Sequence, residues 1–296
     1  MFSQTTKIPA KVYRSTDKDA PKLDAVAGSL KTLLKACLVT GYGADDSRKE
    51  PAGWAMPFEN DVSAVFRSQS PESTKFCLQI NNENDNYAVL GAYQRMSNLN
   101  TGTSYFGYTD IGQNHFAYAG TGSGGSTGKW LLVACERAFW LAILDTNSTS
   151  LVLFFGDARP LAPADNTACV FVHSNYSTAT NWDTGSLKNP MLAQAWQGSG
   201  ALMADLGGNY YSNSNLAPYP DPIHGGFIAH EVFVMEKQTY RAVLPNLLSS
   251  MNNLRTAMPT WSILKLDGDD ADYLLLDISD GGGNNHLLNL SYFEYN

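Results

Sequence analysis

A glycine-rich segment at residues 120–129 is the part of the sequence whose spacing comes nearest to known chemistry. Such a loop cradles phosphates when Gly and Lys stand at set positions and a helix follows. Here Ser123 stands where the motif requires its first glycine, and Trp130 stands where Ser or Thr would bind magnesium. Because a strand-like run follows instead of a helix, the sequence predicts a flexible loop and no nucleotide site.

The same segment contains the hydrolase pattern Gly-x-Ser-x-Gly, at Gly124, Ser126 and Gly128. A nucleophile elbow exposes its serine on a strained turn between a buried strand and a helix. Here a glycine-rich loop precedes Ser126 and an apolar, strand-like run follows it. The pattern therefore does not predict an esterase.

The five histidines do not stand at spacings typical of metal ligands. They are His115, His173, His224, His230 and His286. His230 and Glu231 begin like a zinc-protease motif, but Val234 occupies the position of the second histidine. Alternation along residues 227–234 also places His230 and Glu231 on opposite faces of a strand. The histidines therefore predict neither a metal site nor a catalytic one.

A cluster of aspartates resembles the start of a calcium-binding loop. Its members are Asp267, Asp269, Asp270 and Asp272. An EF-hand requires a bidentate glutamate at its twelfth position and helices on both sides. Ile278 stands at the twelfth position, and the flanking runs are strand-like. A hairpin turn rich in aspartate is the favoured interpretation, and a weak calcium site is the alternative.

No acidic pair stands in a recognisable motif, although the two carboxylates of a glycosidase meet only in the folded protein. The sequence thus assigns no catalytic, cofactor-binding or metal-ligating residue, and we expect a protein that is not an enzyme. Charged residues make up only 16% of the 296 residues, against about 25% in typical proteins. The net charge of −8, without any basic patch, argues against a nucleic-acid partner.

The four cysteines each lie inside an apolar run and form no CxxC pair. They are Cys37, Cys77, Cys135 and Cys169. This pattern is typical of free core thiols in a reducing compartment and not of a zinc site. The first residues lack a signal-peptide pattern, and no apolar run reaches membrane-spanning length. We therefore expect synthesis in the cytoplasm and no membrane insertion.

Four apolar runs with almost no charge follow one another at residues 130–135, 139–144, 151–155 and 168–172. Continuous apolar runs of this length predict strands that are covered on both faces. Elsewhere the apolar residues favour further strands, many with the alternation of half-buried antiparallel ones. These lie near residues 62–66, 76–80, 87–93, 227–234, 262–266, 273–278 and 286–290, and the alternating set of the run at 87–93 is Tyr87, Val89, Gly91 and Tyr93. A short helix around 191–196 and a turn or helix through 244–254 complete the pattern.

One amphipathic helix is predicted near the N-terminus. Asp24 is its expected N-cap and Gly41 its C-terminal stop. Its apolar face is formed by Val26, Leu30, Leu33, Leu34 and Cys37. The predicted fold class is mainly β, with antiparallel sheets in a sandwich or barrel-like arrangement, this N-terminal helix and few short helices.

Three sections are expected: an extended arm at 1–22, a helix plus antiparallel β domain at 23–175, and a β-rich section at 176–296, unless the last two form one domain. Residues 97–128 and 173–226 lack periodicity and predict long loops, which in compact domains are usually functional or partner-bound. Their aromatic side chains either form a binding surface or pin the loops onto the sheets. These aromatics are Tyr105, Tyr108, Tyr118, Tyr176, Trp182, Tyr210, Tyr211 and Tyr219.

Short runs spread over most of the chain carry a resemblance to a known family. They lie at residues 12–17, 20–21, 27–30, 34–43, 52–54, 57–58, 64–67, 91–93, 96–97, 102–103, 130–139, 154–157 and 241–245. These runs resemble a family of virion structural proteins of tailed bacteriophages. Cys135 and residues 173–226 depart from the family pattern, so the position in the particle stays open.

The resemblance implies a virion subunit of the tail, baseplate or neck, which assembles with other virion proteins and with copies of itself. The alternative is a host-receptor or carbohydrate-binding virion protein that uses the aromatic loops, and a hydrolase of cell-wall or capsule sugar is the third hypothesis. The arm and the loop at 97–128 are the expected contacts between subunits. Deletion of residues 1–20 is therefore expected to leave a folded protein that no longer joins particles.

Overall fold

The computed structural model describes residues 5–107, 114–119, 126–146, 148, 150–161, 169–174, 191–193, 202–204, 220–223, 225–236, 239–250, 252–254, 257–278 and 285–296. The fold is mainly β with antiparallel sheets, as the sequence predicts, and the described strands form no closed barrel. The strands are β1 (Thr6–Pro9), β2 (Lys11–Arg14), β3 (Trp54–Glu59), β4 (Ser63–Ser68), β5 (Cys77–Asn81), β6 (Tyr87–Met96), β7 (Gly102–Tyr105), β8 (His115–Ala117), β9 (Ser126–Ala134), β10 (Ala138–Asp145), β11 (Ser150–Asp157), β12 (Arg159–Pro160), β13 (Cys169–His173), β14 (Met191–Leu192), β15 (Leu202–Ala204), β16 (Ala229–Glu236), β17 (Thr239–Ser250), β18 (Ile263–Lys265), β19 (Asp272–Asp277), β20 (Asn285–Asn289) and β21 (Tyr292–Tyr295).

The central sheet has the strand order β14-β13-β11-β10-β9-β2. Strands β9, β10, β11 and β13 correspond to the four predicted apolar runs, and all of β11 is buried. Successive side chains of a strand point to opposite faces. This sheet therefore supplies apolar side chains to a layer on each side.

One face of the central sheet packs against the helix and a second sheet, the helix-side sheet. That sheet has the order β3-β4-β5-β6-β7, with β8 also paired to β6. Phe139, Leu141 and Ile143 project into the shared core. The ring of Trp54 meets Phe139 edge-on with 5.5 Å between centroids, and its indole N–H donates to the Cys135 carbonyl at 2.9 Å. The two sheets are thus joined by both packing and a buried hydrogen bond.

The opposite face of the central sheet packs against a third sheet, the C-terminal sheet. Its order is β15-β16-β17-β20-β19-β18, with β12 also paired to β17. Trp140 and Phe154 of the central sheet contribute to a second core with Leu244, Leu276 and Leu288 of the C-terminal sheet. Three of the four sheets formed by the described strands are therefore stacked, with the middle one covered on both faces; the fourth is the two-stranded sheet β1-β21. The expected section boundary between residues 175 and 176 falls on residues that are not described.

The helix is shorter than predicted. It consists of α1 (Ser29–Lys35), which continues as a π-helical turn over Ala36–Thr40. The prediction that Asp24 caps it and that Val26 lies on its buried face is wrong. The N-cap position is Gly28, without a side-chain cap, and Val26 is 58% exposed. The predicted stop at Gly41 is confirmed, since this residue ends the helix with φ +73°.

Asn82, which is distant in the sequence, accepts the hydrogen bond that a local N-cap residue would otherwise accept. Its side chain is fully buried in the turn between β5 and β6, and its Oδ1 accepts the Leu30 N–H at 2.9 Å. Its Nδ2 donates to the Tyr118 hydroxyl at 2.6 Å. The free N–H groups of a first helical turn need an acceptor, and here a distant strand turn provides it. The helix is therefore bound to the helix-side sheet from its first turn.

Strand β6 buries the face opposite to the one predicted. Ala88, Leu90 and Ala92 contact the core, whereas Tyr93 lies on the other face, where its ring packs 5.0 Å from that of Tyr105. The predicted set of Tyr87, Val89, Gly91 and Tyr93 is therefore out of phase by one residue. The neighbouring core, and not the local pattern of the strand, therefore decides which face of β6 is buried.

Three segments that were predicted as loop or helix contain strands. Residues 97–128 include β7 and β8, which both pair with β6. The expected helix near 191–196 begins as strand β14, and the expected turn or helix from Leu244 is part of the long strand β17. In each case hydrogen bonds to a neighbouring strand override a weak local pattern.

The N-terminal arm is part of the sheets of its own chain. Strand β1 pairs with β21, and β2 extends the central sheet beside β9. Tyr13 is 1% exposed and donates its hydroxyl proton to the Glu50 carbonyl at 2.7 Å. We therefore expect removal of the arm to reduce stability, whereas the sequence alone predicted only that the protein would remain folded.

Deletion of residues 1–20 should lower the free energy of unfolding by about 3 kcal/mol or more, because it removes the buried Tyr13 ring and uncovers the edge of β9. Urea denaturation followed by circular dichroism measures this loss. Deletion of residues 1–4 removes none of the described strands and serves as the control. Equal stability of the two truncations would contradict the packing of the arm.

Candidate functional site

The described motif residues lie on different strands of the fold. Ser126 opens β9, while residues 120–125 lie outside the described part of the chain. His115 stacks on Tyr87 with 4.4 Å between ring centroids, and His173 and His286 are buried. Residue 224 is not described. Within the described ranges, no three His, Cys, Asp or Glu side chains are grouped so that they could hold a metal ion.

The aspartate cluster forms a hairpin turn between β18 and β19, which is the favoured interpretation. Asp269 accepts hydrogen bonds from the hydroxyls of Tyr273 and Tyr292, each at 2.7 Å. The Tyr273 hydrogen bond is the largest cause of the lowered pKa of Asp269. This carboxylate therefore ties the turn to strands β19 and β21.

The four cysteines are free and buried, as predicted. Burial raises the pKa of each thiol, that of Cys135 to about 11. The thiols therefore stay protonated at neutral pH and lack the thiolate character of a nucleophile.

The aromatic loop residues are only partly within the described ranges. Tyr118 is fully buried and donates its hydroxyl proton to the Asn84 carbonyl at 3.0 Å, so it pins its loop onto the sheet. Tyr105 is 39% exposed. The predictions for Tyr108, Tyr176, Trp182, Tyr210, Tyr211 and Tyr219 fall outside the described residues.

Strand β17 bulges away from its neighbour β16 in the middle of the C-terminal sheet. Between the pairs Glu231–Leu248 and Phe233–Val243, the four β17 residues 244–247 face one residue of β16. Pro245 lies in this bulge and has no N–H for a ladder bond. The next residue, Asn246, has φ +58° and is therefore in the left-handed region.

A cleft forms beside this bulge, and we call it the β17 cleft. On that side, β12 pairs with β17 only up to Val243, and β20 pairs with it again from Leu247. The intervening residues of β17 have no partner strand there among the described elements. The space between protein atoms in the cleft is about 370 Å³, part of which is open to solvent. It is lined by Arg159, Glu231, Val243, Leu244, Pro245, Asn246, Leu247, Leu248, Tyr273, Asn289, Tyr292 and Glu294.

The charged side chains of the β17 cleft are two glutamates and one arginine. Arg159 forms an ion pair with Glu231, and Glu294 accepts a hydrogen bond from the Thr5 hydroxyl. The Lys7 ammonium lies 3.9 Å from the centroid of the Tyr292 ring. Arg159 and Glu231 neutralise each other, and Glu294 lies opposite Lys7 in the β1–β21 ladder, where the two charges attract.

Asn246 carries an acceptor that is not satisfied. Its Nδ2 donates to the Asn289 carbonyl at 3.1 Å, whereas its buried Oδ1 accepts no hydrogen bond from the rest of the protein as described. A buried polar atom without a partner costs about 1–3 kcal/mol.

Sequence reasoning did not find the β17 cleft. Its walls come from β12, β16, β17, β19, β20 and β21, which meet only in the folded sheet. The available signal was the Pro245-Asn246 pair inside a long apolar segment, which is typical of a bulge or turn.

No protein-family model matches the chain, and no curated protein matches it either. In the described part of the chain, no helix has the length and apolar character needed to cross a bilayer.

Asn246→Ala should be less stable than Asn246→Gly by about 1 kcal/mol, because only glycine adopts the left-handed conformation without a Cβ penalty. Urea denaturation of the two variants measures the difference. Asn98, in an exposed turn and without a positive φ, provides the matched pair Asn98→Ala and Asn98→Gly, for which alanine should not be the worse residue. Equal stability of the two Asn246 variants would rule out the bulge conformation.

Proposed function

We propose that the protein is a structural subunit of a tailed-phage virion, in the tail, baseplate or neck, which acts through assembly with other virion proteins and copies of itself. The resemblance of short runs across the chain to virion structural proteins supports this function. The described motif residues also support it, because their buried or hydrogen-bonded side chains hold the fold together.

The structural observation that carries the proposal is a loop that presents apolar side chains to solvent. Ile223 is 83% exposed and Ile228 is 39% exposed. The loop is closed by hydrogen bonds from the Asp221 N–H to the Gly226 carbonyl at 2.7 Å and from the Gly225 N–H to the Asp221 carbonyl at 2.8 Å. A loop whose ends are held by hydrogen bonds and which exposes Ile223 suits a contact with another protein, since less conformational entropy is lost on binding.

The alternative function, a host-receptor or carbohydrate-binding virion protein, depends on the aromatic loops. Of the two described residues in that set, Tyr118 is buried and only Tyr105 is partly exposed. The observations therefore favour assembly over glycan recognition, and a glycan array separates the two, because only the alternative predicts reproducible binding.

Density-purified particles from a host that produces this protein should contain it at a fixed copy number, measured by quantitative mass spectrometry. Ile223→Asp should reduce its incorporation at least several-fold, because the exposed apolar contact becomes charged and must be desolvated. The matched control is Val26→Asp, at an apolar residue that is 58% exposed on another part of the surface. Particles that lack the wild-type protein would refute the proposed function.

A further inference from the structure

We infer that copies of this protein bind one another head to tail, with the acidic turn between β18 and β19 of one copy on a basic and aromatic surface of the next. This inference rests on the proposed function and specifies the contact between copies. The surface, which we call the β6 surface, lies on the outer face of the helix-side sheet. It consists of Arg67, Tyr93, Arg95 and Tyr105.

The strand register places these four side chains on one face. Arg67 of β4 lies opposite Cys77 of β5, which in turn lies opposite Tyr93 of β6. Tyr93 lies opposite Tyr105 of β7. Arg95 follows Tyr93 by two residues and therefore shares its face. The residues that alternate with them on β4, β5 and β6 enter the core beside the helix, so the β6 surface points away from that core.

The two arginines of the β6 surface have no carboxylate partner in the described part of the chain. Arg67 and Arg95 are both exposed, and neither side chain forms an ion pair or a hydrogen bond there. Glu72, in the loop before β5, lies 3.9 Å from Arg137 instead. In a chain with a net charge of −8, two exposed and unpaired cations on one face favour an acidic partner.

The tyrosines give the β6 surface an apolar part. Tyr105 is 39% exposed, and its ring centroid lies 5.0 Å from that of Tyr93. A Cβ at Gly91 would lie 3.0 Å from Cε2 of Tyr93, and a Cβ at Gly102 would collide with the same ring. The ring of Tyr93 therefore lies close against the backbone of β6 and β7. A partner that packs on a ring held in this way loses little conformational entropy.

The acidic turn between β18 and β19 carries the complementary charge. Asp267 and Asp270 are exposed, and within the described ranges their carboxylates accept no hydrogen bond and form no ion pair. Asp269 is held by two tyrosine hydroxyls, and Asp272 lies 3.5 Å from Lys265. Two of the four aspartates can therefore pair with cations of another molecule.

The same hairpin also exposes an apolar side chain. Ile263 of the edge strand β18 is 51% exposed. It precedes Asp267 by four residues, which span at most about 13 Å. Tyr105 and Arg67 are three strand spacings apart, or about 14 Å. An isoleucine on the tyrosines therefore brings the aspartates of the turn to the arginines.

Another acidic turn fits the β6 surface less well. Asp45 and Asp46 are exposed, but no large apolar side chain near them in the sequence is exposed. This turn could supply the charge and not the apolar contact. It therefore provides a matched control for the acidic turn between β18 and β19.

The two contacting patches belong to opposite layers of the fold. The β6 surface is on the helix-side sheet and the acidic turn is on the C-terminal sheet, and these sheets pack on opposite faces of the central one. A contact between two different patches repeats from copy to copy and builds a ring or a filament. Such a contact suits a virion subunit that assembles with copies of itself.

The test is sedimentation velocity of the full-length protein over a range of concentrations. We expect oligomers that dissociate as the salt concentration rises, because salt screens exposed charges. The double variant Arg67→Gln with Arg95→Gln removes one side of the contact, and Asp267→Asn with Asp270→Asn removes the other. Each should weaken self-association roughly tenfold. The control Asp45→Asn with Asp46→Asn should associate like the wild type.

A mixture of the two contact variants tests the head-to-tail geometry. One variant keeps the acidic turn and the other keeps the β6 surface, so a single intact contact joins them and no further copy can add. We expect the mixture to form a dimer at concentrations at which each variant alone is monomeric.

A wild-type protein that stays monomeric at low salt up to its solubility limit would overturn the inference, even if it bound poly-glutamate or an acidic polysaccharide. An equal loss of association in the control variant, or a mixture that stays monomeric, would do the same. The two proposals fail separately. Self-association of a protein that is absent from particles refutes only the virion function, and a monomeric protein that is present in particles refutes only the head-to-tail contact.

Discussion

Burial of the central sheet on both of its faces is the constraint on which the rest of the fold depends. Alternate residues of β10 enter different cores, with Leu141 on the helix side and Trp140 on the side of the C-terminal sheet. A fully buried large apolar side chain contributes about 1.5–3 kcal/mol. Each outer sheet obtains its main apolar contact from the central one, so neither outer layer is independent of it.

The strands of this sheet could be predicted because their sequence signal is direct. A strand that is covered on both faces needs apolar residues at consecutive positions, and residues 130–172 contain four such runs. The phase of β6 was not predictable in the same way, because apolar residues occupy both faces of that strand. Only the neighbouring core decides that Ala88 and Leu90 face inward while Tyr93 does not.

The helix and the long strand β17 show why local sequence patterns do not predict the structure of other parts of the chain. The cap of the helix comes from Asn82, which is 52 residues away from Leu30 in the sequence. Pro245 would by itself predict a turn. Strand β17 nevertheless continues beyond the bulge, because it pairs with β16 and β20. Both outcomes depend on contacts between distant segments, which a single sequence does not reveal.

The β17 cleft exists because strand β17 is irregular at its bulge. In a regular ladder, the backbone groups of β17 would be hydrogen-bonded to neighbouring strands and the β17 cleft would not form. The bulge at Asn246 instead leaves the side-chain Oδ1 of this residue buried without a donor in the described protein. Stored cost of this kind is typical of sites that gain on binding. Glu294 of the lining lies opposite Lys7 in the β1–β21 ladder, so the site also depends on the pairing of the two ends of the chain.

Amide hydrogen exchange of the native protein, read by mass spectrometry, tests the central claim most directly. Exchange rates report the local free energy of opening. The account predicts the slowest exchange in β9, β10, β11 and β13, with both outer sheets opening earlier. Slowest exchange in the helix-side or C-terminal sheet, with the central strands opening first, would contradict it.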